Sequence, residues 1–479
     1  MLIDGRLPDG SLPSNTVAAI GEVSSPVSIS LESADLVLTE SGYLRVSDGT
    51  DYPTAAVTVL STGDVTLSGR IASPTNFQLE AADSVLLDGS IHAGESIRIT
   101  AGLGSQNQGD ITGTFFADLV TAGDDRRIEL KAGTAGGSIN LVDSDLLSDY
   151  ISLHALSGAV SHGPGGLIDA ATLHMLSSAG VSARARSEDV TAIVSTAGDI
   201  QITNLQGMRL IADTADGALN VSAAGTIYAD VVAVRGGTVS NALRISALSA
   251  ASGTLSDIVL GEVVTSPGAS ILLRATGSVL GLDDIVVDPD GLEVDTLTIM
   301  AQRVPNLVLR VREADITVLG PGDMQITQLG TQPLTLSVSL QNGSLTVEHL
   351  QGDLTLRRAL LHTDTDANDL SITVCGNLLL GKIRAGQYFA TAGDIPATAT
   401  GAAPGIHSLG DVTLLSGGYI RAIDPDNAVD IIADELYIRA DLGVGPLQTS
   451  VQSLDVTTTA GSIELEDRDS ATETAPGLR

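Results

Sequence analysis

The amino-acid sequence predicts an all-β chain, wound as a right-handed parallel β-helix (a β-solenoid) of about 20–24 residues per coil. Three observations lead there. A five-residue phrase recurs along the chain: glycine, a small or acidic residue, then apolar, polar, apolar. Aromatic residues are 2% of the 479 positions and Trp is absent, so the core is a thin one of Val, Ile, Leu and Ala. No long segment holds the 3.6-residue apolar period of an amphipathic helix.

The phrase is clearest within residues 197–225. There Gly198-Asp199-Ile200-Gln201-Ile202 is followed, 19 residues on, by Gly217-Ala218-Leu219-Asn220-Val221. Further copies start at Gly63, Gly137, Gly322, Gly343, Gly352, Gly376, Gly410 and Gly461. In a chain rich in Gly and aliphatic residues some of these arise by chance, but two longer echoes do not. GDIQITNL at 198–205 and GDMQITQL at 322–329 agree at six of eight positions. LHALS at 153–157 and LHMLS at 173–177 agree at four of five, in a register of 20.

Each phrase reads as a strand. Apolar–polar alternation puts one face in and one face out, and Val, Ile and Thr favour the extended state. The glycine supplies the bend, and Asp or Ser bonds the turn backbone. Recurrence near 19–24 residues is too long for a hairpin of such short strands and suits one coil of two or three strands. About 20–24 coils, stacked about 4.8 Å apart, give a rod of about 100–115 Å. A string of β-sandwich domains is the rival fold, but such domains usually carry a core aromatic, often Trp.

In chain order, residues 1–26, with Pro8, Pro13 and Pro26, form an irregular entry segment or cap. Residues 27–466 form a continuous solenoid, with an Ala/Thr/Pro/Gly-rich loop insertion near 391–409. Residues 467–479 are a polar tail. The start, MLIDGRLPDGSLPSN, lacks a basic-then-apolar export signal, and no apolar run reaches the ~18 residues of a membrane span. The expectation is an interior segment of a longer exported chain, with no membrane insertion. Net charge is −34, from 24 basic and 58 acidic residues, which repels phosphate and makes nucleic acid a poor partner. The lone Cys375 forms no internal disulfide and is expected as a small apolar residue near the core.

The GDVTL-like and GSINL-like phrases resemble the filamentous-haemagglutinin-like repeats of large bacterial surface adhesins. So does ADLGVGPLQTSVQSLDVTTTAGSIELED at 440–467, where the stretch from Gly443 to Leu454 leads into the next Gly-Ser-Ile strand. The resemblance is to a repeat style over most of the chain and is specific over 440–467. It implies a right-handed parallel β-helix, export as an extended fibre, and a location outside the cell or on the bacterial surface. The expected function is a non-enzymatic structural or adhesive rod. Its expected partners are other copies or neighbouring repeats, end to end, and a host or cell-surface ligand.

Candidate site residues are few. Asp288, Asp290 and Asp295 share a layout with Asp424, Asp426 and Asp430, and Asp364, Asp366 and Asp369 form a third group. Clustered carboxylates suit Ca2+, which takes six to eight oxygens. Asp-Pro-Asp also makes an ordinary turn, and neither the EF-hand nor the glycine-rich calcium nonapeptide is present. Both readings stay open, with Ca2+ the one candidate cofactor and none required. A 20-residue coil would stack His154 on His174 and offer a transition-metal site with His162; a surface stack without metal is the alternative. The rival function is a polysaccharide lyase or hydrolase on the same fold. Its carboxylates would be Asp283 and Asp284, helped by Lys382 and Arg384. The order of motifs argues against pectin-hydrolase chemistry, because His162-Gly163 precedes the Asp pair instead of following it. Scarce aromatics also remove the sugar-stacking platforms, and the chain is read as a non-enzyme.

Overall fold

The computed structural model describes residues 29–38, 56–103, 109–114, 117–122, 126–133, 136–236, 242–249, 253–266, 268–281, 294–363, 366–389, 405–407, 409–424 and 428–467, with the short strands Leu2–Asp4, Asn15–Val17 and Tyr43–Arg45. Among them there is no helix; the chain is all-β. It divides into two compact units, residues 1–242 with 249–252, and residues 243–248 with 253–479.

In the first unit each strand pairs in parallel with a strand one period further along the chain. Val57 lies opposite Phe77 and Phe77 opposite Ile97, in steps of 20 residues. Three stacks of strands run side by side up to about residue 150. One holds Val57–Ser61, Asn76–Ala81, Ser96–Thr100, Arg127–Ala132 and Tyr150–Ala155. The second holds Val65–Leu67, Val85–Leu87, Ile111–Gly113 and Ile139–Leu141. The third holds Arg70–Ser73, Ser90–Ala93, Asp118–Thr121 and Asp145–Leu147. Further on, stacks fuse: Ile168–Ser177 pairs with both Asp145–Leu147 and Tyr150–Ala155. The repeated phrase then falls in the expected register, with Ile200 opposite Leu219 and Ile202 opposite Val221. Leu2–Asp4 and Asn15–Val17, inside the expected entry segment, are strands paired in parallel with Ile29–Ser33 and Leu36–Leu38.

The second unit uses mostly two stacks. Val294–Ala301, Val311–Pro321, Leu334–Asn342, Leu354–Leu361 and Leu378–Ala385 follow one another in the first. Asn306–Leu309, Met324–Gln328, Leu345–His349, Leu370–Val374 and Val412–Ser416 follow in the second. The phrases at Gly322, Gly343 and Gly410 therefore lie in the second stack, and those at Gly352 and Gly376 in the first. The phrase marks two places in each period, not one. Leu370 meets Val412 after a step of 42 residues. The chain leaves the stack there, at the expected insertion, and Gln387–Phe389 pairs antiparallel with Gly405–His407.

Alternation builds the core. In Leu334–Asn342 the side chains of Leu334, Leu336, Val338 and Leu340 are buried, and those between them are half-exposed. Burial of each such side chain stabilises the fold by roughly 1.5–3 kcal/mol. The phrase glycine is needed for its backbone: Gly322 and Gly343 have φ of 143° and 132°. A Cβ at Gly343 would also overlap the Gly322 carbonyl.

Two polar devices close the turns. The first is a ladder at the residue before each strand. In the first unit Asp64 Oδ1 accepts the Ser84 N–H at 2.9 Å, Ser84 Oγ accepts that of Asp110 at 3.3 Å, and Asp110 Oδ1 accepts that of Ser138 at 2.7 Å. In the second unit Asp323, Ser344, Asp369 and Asp411 hand on the same bond, to Ser344, Asp369, Asp411 and Glu435. The second device is a buried polar side chain at the last inward position of a strand. Ser177 Oγ, for example, donates to the Gly158 carbonyl at 2.7 Å and accepts the Gly180 N–H at 3.1 Å. Each satisfies turn backbone groups that burial would otherwise leave without partners.

Candidate functional site

Of the nine aspartates proposed for Ca2+, five lie among the described residues. Asp288, Asp290, Asp364 and Asp426 lie outside the described residues. Asp295 stands 4.0 Å from the Arg312 guanidinium. Asp366 is exposed. Asp369 spends one carboxylate oxygen on the ladder bond to Asp411. Asp430 is buried, and its Oδ2 accepts the Gln448 N–H at 2.9 Å. Among the described residues no group of three or more His, Cys, Asp or Glu is arranged to hold a metal ion.

The histidines are re-registered. Leu153 pairs with Met175, a step of 22, so His154 faces Leu176, and His174 faces Ser152. The expected His154–His174 stack is therefore displaced by two residues along the strands. The sequence echo identified the right strands and the wrong register. The His174 ring instead lies 5.7 Å from that of Tyr150. Partial burial and the neighbouring Lys131 push the His154 pKa down. His162 lies in a different stack, points inward and holds the Ser144 carbonyl through Nε2 at 2.8 Å, so it is no ligand to the other two. Cys375 is exposed, contrary to the expectation of a core position. It follows Leu370–Val374, whose alternation buries Ile372 and Val374 and turns position 375 outward.

One groove in the second unit gathers three of the singled-out residues. Leu336 pairs with Leu356 and Ser337 with Arg358, so Arg357 bulges from its pairing with Leu334–Asn342, while the pairs Leu356–Leu380 and Arg358–Lys382 keep one step of 24 and leave Gly381 opposite Arg357. On its other side, Leu378–Ala385 pairs before Gly381 with Tyr419–Ala422 and after it with the start of Ile431–Ala440. The result is an open groove of about 350 Å³, lined by Arg357, Gly381, Lys382, Asp424, Val429 and Asp430 among others. Arg357 is committed to Glu313 at 2.6 Å. Arg384 clamps the Val429 and Asp430 carbonyls at 3.0 and 3.2 Å. None of the described lining residues is aromatic. Asp283 and Asp284 of the lyase reading lie outside the described residues.

The last described period is paired on one side. Residues 453–458 pair with 435–440 and Ile463–Asp467 pairs with 444–449, each on one side only among the described residues. Their inward side chains continue the apolar columns. Leu454 and Val456 follow Leu436 and Ile438, and Ile463 and Leu465 follow Val444 and Leu447. The four preceding residues are buried. The four in the last period are not, and Ile463 is 46% exposed. Ser462 and Ser453 stand where inner periods carry the ladder acceptor. Among the described residues no strand lies on the other side of this edge.

Sequence reasoning missed the buried strand-end polar residues. Their signal is a Ser, Thr, Asn, Gln or His at the final inward position of an alternating run, just before a glycine or turn. No family model, no curated protein and no solved structure matches the chain.

Proposed function

We propose that the chain is a non-enzymatic structural or adhesive segment of a large bacterial surface or secreted protein, built as a right-handed parallel β-helix and joined end to end through its last period. The observation that carries this reading is the edge at 453–467, paired on one side among the described residues, where apolar columns buried in the preceding period emerge at Leu454, Val456, Ile463 and Leu465. A head-to-tail contact on such an edge is heterologous and does not close, so it builds filaments. The partners are other copies or further repeats, and a ligand on a host or cell surface. No nucleic acid is expected on a surface of net charge −34. The style of the phrases, like that of adhesin repeats, supports the same reading. The chain needs no cofactor in this role. Ca2+ bound at the aspartate groups would raise the melting temperature by mass action, and a melt that is the same in chelator and in millimolar Ca2+ removes that ion.

The test is light scattering with negative-stain microscopy of residues 1–479 over a range of protein concentration. End-to-end dimers or short fibres are expected. A strictly monomeric particle at all concentrations overturns the end-to-end assembly.

A further inference from the structure

Two strand-end corners, one in each unit, are closed by a histidine. His349 ends Leu345–His349 and is fully buried, with Nε2 3.2 Å from the Gln332 carbonyl, 17 residues earlier. His162 ends Val160–His162 and is 5% exposed, with Nε2 2.8 Å from the Ser144 carbonyl, 18 residues earlier. In both rings Nδ1 is buried and has no hydrogen-bond partner. A carbonyl only accepts, so Nε2 carries a proton; burial favours the neutral ring, in which Nδ1 is a bare lone pair.

The corner does not need a titratable group. Ser177 fills the same place with a hydroxyl, and Asn204 fills it by donating Nδ2 to the Ser187 carbonyl at 2.9 Å. Gln328, directly in register with His349, donates Nε2 to the Val311 carbonyl at 2.8 Å. A histidine adds one property that these lack, a second nitrogen that takes a proton in mild acid.

We propose that His349 and His162 are acid-sensitive latches: a proton on Nδ1 places a charge and an unpaired donor in a closed corner, and the turns that the rings hold, around Gln332 and around Ser144, open while corners closed by Ser, Asn or Gln stay shut. Charged groups facing His162 are Asp143 and Asp145, which favour the proton, and Arg184, which opposes it. Asp353 faces His349 and favours the proton. Burial outweighs these carboxylates at both rings and keeps them neutral in the closed state. Opening is local, because the stacked aliphatic core on either side is untouched.

Amide hydrogen exchange of the full chain, at pH 7 and pH 5 and corrected for intrinsic rates, tests this. Protection of residues 142–146 and 331–334 is expected to fall about tenfold at pH 5, the equivalent of one pKa unit. Segments around Ser177 and Asn204 are expected to keep theirs. His349→Gln, which copies Gln328, should abolish the loss at its own corner and leave that at His162. A pH-independent pattern, or a loss that survives His349→Gln at the 331–334 corner, overturns the proposal. A second measurement needs no variant. In a ring-resonance titration of the seven histidines of the wild type, the rings of His162 and His349 should stay neutral well below pH 6.5 with the proton on Nε2, beside His154, whose pKa burial also lowers. Seven rings titrating together near 6.5 would equally overturn it.

Discussion

The Asp369 carboxylate accepts the backbone N–H of Asp411 at 3.1 Å, although 42 residues separate them in the sequence. The bond explains why phrases across the chain so often carry Asp, Ser or Asn after the glycine. That side chain caps the first backbone donor of the next period, whatever length of loop intervenes. It also gives Asp369, singled out in the sequence as a cation ligand, a backbone partner.

Removing a ladder acceptor leaves a donor at the start of the next strand without its partner. Asp353 accepts the Asn377 N–H at 2.7 Å, and Asn377 in turn accepts that of Tyr419 at 3.0 Å. Asp353→Ala should cost about 0.5–1.5 kcal/mol. Asp353→Asn should cost much less, because Asn377 already performs the role with an amide. Urea midpoints of the two variants decide the matter, and equal losses would mean that the acceptor is not what counts.

Gly381 lies opposite Arg357, and a Cβ there would overlap the Arg357 carbonyl. Relief requires a backbone shift in paired strands, so Gly381→Ala should destabilise by about 1–3 kcal/mol. Lys382→Ala, one residue on, removes a side chain that reaches the groove and should stay within about 0.5 kcal/mol. Thermal melts that rank the two the other way would show that the backbone opposite Arg357 can shift at little cost.

Alternation was the legible part of the fold, because each run of apolar and polar residues declares its own inward face. The register of 19 between Ile200 and Leu219 was legible too, since no insertion separates those phrases. His154 and His174 show the limit. Their matching pentapeptides do lie in paired strands, but the intervening 163–166 turn, Gly-Pro-Gly-Gly, wraps around Asp143 and lengthens the step to 22. Composition gives no measure of turn length. The closing roles of His162, His349 and Asn204 were illegible for another reason. A polar residue on an apolar face reads as a fault until the carbonyl that it holds, about one period back in the chain, is in view.

Stability should depend on pH through these rings. The pKa values of His162 and His349 are lowered, first by burial, and that of His154 by burial and then by Lys131. Below the unfolded-state value of about 6.5 the unfolded chain binds more protons than the folded one. The stability these groups contribute is therefore complete above pH 6.5 and is lost as pH falls towards the folded values. Urea midpoints should decline between pH 7 and pH 5.5, a window above the ordinary carboxylate range. A flat or rising midpoint there would contradict the shifts.

The open edge makes the sharpest demand. If Ile463 and Leu465 form part of a contact with a second copy, that contact is apolar in its centre. It is ringed by outward acids, Glu464 and Glu466, on the same strand. Apolar burial does not weaken with salt, whereas repulsion within a chain of net charge −34 does, because charges beyond about 8 Å are screened at physiological ionic strength. End-to-end association should therefore strengthen from about 50 mM to 500 mM salt, a range over which the Debye length drops below the size of the contact. Ile463→Lys with Leu465→Lys should abolish it at every salt concentration, since it would bury two ammonium groups with no partner. Both positions lie at the end of the columns, Ile463 exposed and Leu465 half-buried, so the melting temperature of the monomer should move little. Sedimentation velocity on wild type and double variant at the two salt levels gives the answer. Association that weakens with salt, or that survives both lysines, would place the contact elsewhere on the surface.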